Sequence, residues 1–454
     1  MTWLGSKTHA QWLSAETDAL LAFGRGARLR TGFGYLDADG AVDPAKPAEL
    51  WVNARMTHCF ALGAMLGRPG FGPLVDHGIA ALRGAFADAE HGGWYSAVEA
   101  RVEDVATAGT DAGAGTEADA DASTEVGADA HAGGAAAPSD PRVVVDAKEA
   151  YAHAFVVLAA ASAAAAGRPG ARELLDEALA VSDRHFWSED EGMVVESWDR
   201  SFSACEEYRG VNANMHTVEA YLAAADVTGD DRWLDRAVRI TRRVLDSFAR
   251  ENHWRIPEHF GPGWEALLDY NREQPAHPFR PFGATVGHWL EWARLVLHAR
   301  EALLVRRREA EPWMLESARA LFDRSVEEGW AVDGADGFVY TVDFTGEPVV
   351  RERMHWVVCE GIAAAAALQA ATGEDRYDEW YRTWWDYAAV HLIEAPGAWR
   401  HELSPRNGPS EKTWPGKPDI YHSLQATLVG RLPLTPAFAP AVAAGLLDNR
   451  HPMP

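Results

Sequence analysis

The fold class this sequence predicts is all-α, a ring of six helical hairpins or (α/α)6 barrel, and three observations predict it. Short turn segments rich in glycine and aromatic residues recur at 32–37, 92–96, 192–198, 253–258, 336–341 and 397–402. Three of the five intervals between their starts are about 60 residues, the length of two helices and a loop. Helical patterns of two alternating kinds fill the intervals. One kind is amphipathic with a charged face, and the other is apolar nearly all round and rich in small residues, which demands burial on every side. Hairpins of this kind have no core of their own, so they bury their surface by closing on one another.

The amphipathic stretches, read as outer helices, run over 8–23, 74–87, 171–185, 233–249, 313–329 and 377–392. The apolar stretches, read as inner helices, run over 48–66, 148–166, 210–228, 283–299, 355–372 and 421–432. Two intervals exceed the period. From 103 to 140 the chain holds no Lys, Arg, Phe, Trp or Tyr. Such a composition buries too little apolar surface to offset ordering entropy, and predicts a disordered acidic insertion in a surface loop. Apart from it, residues 1–454 read as one barrel domain. The second extra piece, 261–282, carries Trp264, Asp269, Tyr270, His277 and four prolines, and reads as an ordered loop over the ring mouth.

A formal charge of −25 offers no basic footprint for nucleic acid or an anionic membrane. The three cysteines, Cys59, Cys205 and Cys359, fit neither a disulfide framework nor a zinc pattern, which points to a reducing, cytoplasmic setting. No charged start followed by an apolar core is visible near Met1, and no run approaches the ~18 apolar residues of a membrane span. The 19 tryptophans are read mostly as packing between helices, with some left to stack in a polar pocket.

Polar residues crowd the starts of the inner helices. Trp51 and Arg55 are four apart and share a face, as do Asn212 and His216, and Trp356 and Glu360. His288 and Glu291 are three apart, so Glu291 is read as the group that holds the imidazole in one tautomer. The last inner helix opens with Asp419, Ile420, Tyr421 and His422. If these ends converge, histidines, an arginine and carboxylates line one cup, a set suited to proton transfer near neutral pH. Taken singly, a histidine near a helix start is more often a cap than a catalyst; recurrence in several repeats is what favours function. No His-x-x-x-His pair suggests a metal, no Gly-x-Ser-x-Gly elbow suggests a serine nucleophile, and no phosphate-binding glycine loop suggests a nucleotide. No metal or cofactor is therefore expected.

The stretches 50–56, 206–216, 275–277, 287–292, 419–422 and 441–448 resemble the N-acylglucosamine 2-epimerase superfamily of sugar isomerases and epimerases, in particular its aldose–ketose isomerase branch. The resemblance covers nearly the whole chain outside the acidic insertion. It implies metal-independent isomerisation of a monosaccharide, mannose to fructose, through a cis-enediol. It also implies roles: His422 as the proton shuttle between C2 and C1, His288 in ring opening and acid–base transfer with Glu291 beside it, and Arg55 near O1 and O2. His216 and Asn212 match sugar-binding positions, with Trp51, Tyr151, Trp356 and Glu360 as further binders. Relatives that act on sulfoquinovose hold its sulfonate with Arg and Gln where this chain has Pro278, His401 and Pro418, which favours a neutral hexose. The alternatives are a sulfoquinovose isomerase, a 2-epimerase using the same enediol, a glycosidase resting on Glu291 and Glu360, and a non-catalytic sugar- or protein-binding module. Oligomeric state is not legible.

Overall fold

The computed structural model describes residues 2–101 and 142–449. The acidic stretch 103–140 lies outside the described residues. Helices come in alternating order. α1 (Lys7–Gly24) precedes α2 (Leu50–Met65), α3 (Phe71–Arg83), α4 (Ala150–Ala165), α5 (Ala171–Val181), α6 (Val211–Thr228) and α7 (Asp231–Arg242). Then follow α8 (Val286–Val305), α9 (Pro312–Gly329), α10 (His355–Thr372), α11 (Asp375–Tyr387), α12 (Tyr421–Val429) and the short α13 (Phe438–Ala443). The even-numbered helices from α2 to α12 form the inner wall, each packed on the next, and α12 touches both α10 and α2 to close the ring. The odd-numbered helices α1 to α11 pack outside them. This is the (α/α)6 barrel. No helix among the described residues is long and apolar enough to cross a membrane.

Composition explains the two layers. All but three of the sixteen residues of α4 are buried, and in α10 the run Ala363–Leu368 is buried without interruption. Small side chains let such helices approach closely on several faces. On α8, a Cβ added to Gly287 would meet the Trp356 ring of α10 at 2.3 Å, so glycine is what lets that indole lie across the helix start. Three outer helices, α5, α7 and α11, run on as π-helical turns over Ser182–Phe186, Arg243–Ala249 and Ala388–Leu392, which accounts for the ends expected at 185, 249 and 392.

Four inner helices, α2, α4, α6 and α8, start one to three residues later than their apolar patterns suggest, because the leading residues are strands, whereas α10 and α12 start where expected. Ala48–Glu49, Lys148–Glu149, Arg209–Gly210, Ala284–Thr285 and Arg353–Met354 each pair antiparallel with a strand after the next outer helix. The same ladder caps the helices. The first N–H groups of α2, α4, α6, α8 and α10 donate to the carbonyls of Ser96, Glu196, Glu258, Tyr340 and His401, at 2.8–3.2 Å. Orphan donors at a helix start need partners, and here the turn of the following hairpin supplies one each time. α12 is capped by its own Asp419, whose Oδ1 accepts from Tyr421 N at 2.7 Å. Six N-termini thus open onto one end of the ring. At the other end α13, absent from the sequence reading, lies against α2, α4 and α6.

Candidate active site

At the N-terminal end of the inner helices lies a cup of about 670 Å³. Trp51, Arg55, Tyr151, Asn212, His216, His288, Glu291, Trp356 and His422 all line it, so residues from six inner helices converge as the recurrence suggested. Pro278, Phe279 and Pro281 bring the 261–282 loop over the cup, where Phe279 meets Trp414 edge-on at 5.1 Å.

Two imidazoles in this cup are each held by a carboxylate. His422 Nδ1 donates to Glu360 Oε1 at 3.0 Å, and His288 Nδ1 donates to Glu258 Oε2 at 2.9 Å. A carboxylate only accepts, so Nδ1 carries the proton in both rings and Nε2 is left for chemistry. The partner of His288 is a correction. Glu291 shares the helix face of His288, but it sits one turn deeper, 3.3 Å from Arg294 Nη2 and 3.7 Å from His216 Nδ1. Glu258 closes the fourth turn segment, caps α8 by accepting from Thr285 N at 3.3 Å, and therefore stands beside the imidazole.

Glu360 is the second correction. It does not line the cup; it stands behind His422, its other oxygen accepting from Arg294 Nε at 2.8 Å. Arg294 is 1% exposed and lies within 3.8 Å of Glu219, Glu291 and Glu360, so its one charge is shared by three buried carboxylates. One positive charge does not hold three negative ones in a dry interior. Burial, with the charge of Glu360 next, pushes the Glu291 carboxyl well above the usual range, and its Oε2 finds no partner among the described residues. Glu291 is accordingly the protonated member. Burial would also raise Glu360, but Arg294 and His422 outweigh it and hold it down to about 2.

Arg55 donates to Asp419 Oδ2 at 3.2 Å and to Tyr151 Oη at 3.0 Å, with its guanidinium over the rings of Phe155 and Tyr421. Despite burial, Tyr151 and Asp419 raise its pKa further, so it is a fixed cation. Burial lowers His422 below the ordinary imidazole value, against the pull of Glu360, and lowers His216 well below it, with Arg55 reinforcing the effect. Both are neutral bases at pH 7. His216 and Glu219 with Glu291, and Glu291 and Glu360 with His422, bring ligand-type atoms within 4.8 Å of one another. In both groups Arg294 already bonds or faces the carboxylates that a metal ion would need.

Sequence reasoning missed Glu258, Arg294, Glu219, Tyr340, His355 and Trp414. Glu258, Tyr340 and the previously noted His401 occupy one repeat position, the turn residue whose carbonyl caps the preceding inner helix. That position was marked by the turn segments themselves. Glu219 and Arg294 carried a weaker signal, a charge inside an otherwise apolar helix.

The family model for N-acylglucosamine 2-epimerase matches residues 32–112 and 116–426. A D-mannose isomerase of Pseudomonas cannabina pv. alisalensis is 48% identical over 97% of both chains. One from Thermobifida fusca is 47% identical over 97% of this chain and 98% of its own. A crystal structure of D-mannose isomerase superposes with a TM-score of 0.78 at 25% identity, over 94% of this chain and 98% of that one.

Proposed function

The chain belongs to the N-acylglucosamine 2-epimerase family, and from that premise we propose that it interconverts D-mannose and D-fructose by proton transfer through a cis-enediol, without a metal ion. The observation that carries this reading is the pair of imidazoles on one cup, each fixed by its own carboxylate and each presenting Nε2. The two relatives at 47–48% identity, both named D-mannose isomerase, support the choice of sugar.

The geometry supports the following chemistry. His288, oriented by Glu258, assists opening of the pyranose by moving a proton between the ring oxygen and O1. In the open aldose the C2 proton is weakly acidic, because its removal spreads charge onto O1. Neutral His422 takes that proton through Nε2, and Glu360 stabilises the resulting imidazolium. The enediolate charge develops near Arg55 and the converging helix starts, where a fixed cation and N–H dipoles favour it. Transfer of a proton from O2 to O1 and return of the shuttled proton to C1 gives the ketose, with no net change in protons. The neutral Glu291 carboxyl donates a hydrogen bond to a sugar oxygen. His216, Asn212, Trp51, Tyr151 and Trp356 bind and orient the sugar. Arg294 supplies the positive charge among the carboxylates, which is the support for metal independence.

Two rivals fare worse. A glycosidase needs two carboxyl groups facing the bond, and Glu360 has both oxygens engaged behind His422. A sulfonate needs a cation, and Arg280 and Lys417, chain neighbours of the cup residues Phe279 and Pro418, are paired, Arg280 with Glu206 at 2.8 and 3.0 Å and Lys417 with Glu394. Incubation with mannose, glucose, sulfoquinovose and N-acetylglucosamine, with products resolved, tests the reading. Fructose from mannose is the expected product, and turnover of N-acetylglucosamine alone would overturn it.

A further inference from the structure

The mechanism leaves a buried imidazole of the cup unused. His355 is the first residue of α10, is 5% exposed and lines the cup beside His422, with the two ring centroids 6.4 Å apart. Its Nδ1 lies 3.3 Å from the carbonyl oxygen of His401, the same oxygen that accepts from its backbone N–H at 3.0 Å. A carbonyl only accepts, so Nδ1 carries the hydrogen and Nε2 keeps its lone pair. Stacking on His401, with centroids 3.7 Å apart and planes 26° apart, fixes the ring. Nε2 has no partner among the described residues. Burial, with nearby His422 next, pushes the His355 imidazole down to about 3, and burial with His355 itself lowers His401 well below its ordinary value. Both rings are therefore neutral at pH 7.

An acceptor buried without a donor is destabilising, and in a cup that takes a sugar the available donors are hydroxyl groups. We propose that His355 Nε2 is a hydroxyl-reading subsite, which accepts a hydrogen bond from one hydroxyl of the bound monosaccharide and so selects neutral polyols over sugars with an anionic substituent at that position. A sulfonate, carboxylate or phosphate dianion has no hydrogen to give, and would set its lone pairs against that of Nε2. Selection thus has a repulsive element as well as the pairing of Arg280 and Lys417 with carboxylates. The proposal rests on the reading of the cup as a monosaccharide site.

The test compares wild type, H355F and H355Q on mannose, its 3-, 4- and 6-deoxy analogues and sulfoquinovose. Phenylalanine keeps a stacking ring and removes the lone pair; glutamine keeps an acceptor and adds a donor. H355F should raise KM for mannose roughly tenfold, the worth of one hydrogen bond, with kcat changed much less. One deoxymannose should show the same KM in wild type and H355F, because it lacks the hydroxyl that Nε2 reads. H355Q should restore KM for mannose and raise the efficiency on sulfoquinovose relative to mannose. An unchanged KM in H355F, or an equal KM rise on all three deoxy sugars, would overturn the subsite. So would an H355Q ratio equal to wild type, which decides the matter if H355F fails to fold. Wild-type enzyme inert to mannose would defeat the substrate reading alone. The affinity for the unreactive alditol mannitol, measured by calorimetry, would still test the subsite: a loss in H355F upholds it, and equal affinity sinks it.

Discussion

Replacing Glu258 by Gln tests whether His288 is oriented from the loop rather than from its own helix. Glu258 is 4% exposed, and its two oxygens hold His288 Nδ1 at 2.9 Å and Thr285 N at 3.3 Å. Glutamine has nearly the same shape but one acceptor oxygen, so it can keep the bond from Nδ1 while its amide –NH2 faces the Thr285 N–H and that longer contact is given up. The bond to Nδ1 itself loses the charge. A hydrogen bond to a charged group is worth ~1.5–3 kcal/mol and a neutral one ~0.5–1.5 kcal/mol, so the orienting bond weakens by about 1–1.5 kcal/mol. The loss falls where His288 becomes an imidazolium, which makes it roughly a tenfold fall in kcat. Steady-state kinetics give that number, and nitrogen-15 NMR of the imidazoles reads the tautomer directly. Glu258→Ala should lower the population with the proton on Nδ1, whereas Glu291→Gln should leave it unchanged. If Glu291→Gln shifted the His288 tautomer and Glu258→Ala did not, the assignment of the pair would be refuted.

Stability should fall as pH drops below about 6.5. His58, His153 and His355 are buried and pushed down to about 3, mainly by desolvation. Between these values the unfolded chain binds more protons than the folded one, so each contributes up to about 2 kcal/mol of destabilisation at pH 5. His153 is remote from the cup, with Nε2 on the Ala178 carbonyl at 3.0 Å, and His153→Gln should reduce the difference between thermal midpoints at pH 7 and 5. A midpoint flat across that range would contradict the argument. Mannose should exceed sulfoquinovose in kcat/KM by at least ~10-fold, since the missing charge-assisted bonds are worth ~1.5–3 kcal/mol each; similar efficiencies in a direct comparison would count against a neutral-sugar cup. Exhaustive treatment with a chelator should leave the rate intact, because Arg294 already serves the carboxylates; loss of activity restored by one divalent ion would reverse that conclusion.

The barrel was legible because a ring repeats itself. Turn segments about 60 residues apart and the two helix patterns located all twelve ring helices, with errors at the ends; at α2, α4, α6 and α8 two-residue strands replace the first helical residues. Arg55, His216, His288 and His422 were legible for the same reason, since each lies near the start of an inner helix and the ring brings those starts together. Pairings across the ring were not. Helical spacing identified Glu291 as a neighbour of His288, but which oxygen meets which nitrogen depends on a turn 30 residues away. Glu360 looked like a cup residue for a similar reason, yet Arg294 on the adjacent helix draws it behind His422. Local spacing says which residues share a face; it does not say what the neighbouring element offers that face.

The most direct measurement of the central claim is exchange with solvent deuterium. Wild-type protein turning over mannose in deuterated water should place deuterium at C1 of fructose, and at C2 of mannose on reversal, because the proton on His422 Nε2 exchanges while the enediol waits. His422→Ala should abolish both this label and turnover, lowering kcat by roughly 10²–10⁴, while the protein stays folded. Complete retention of the substrate hydrogen together with full activity of His422→Ala would contradict proton transfer by this residue.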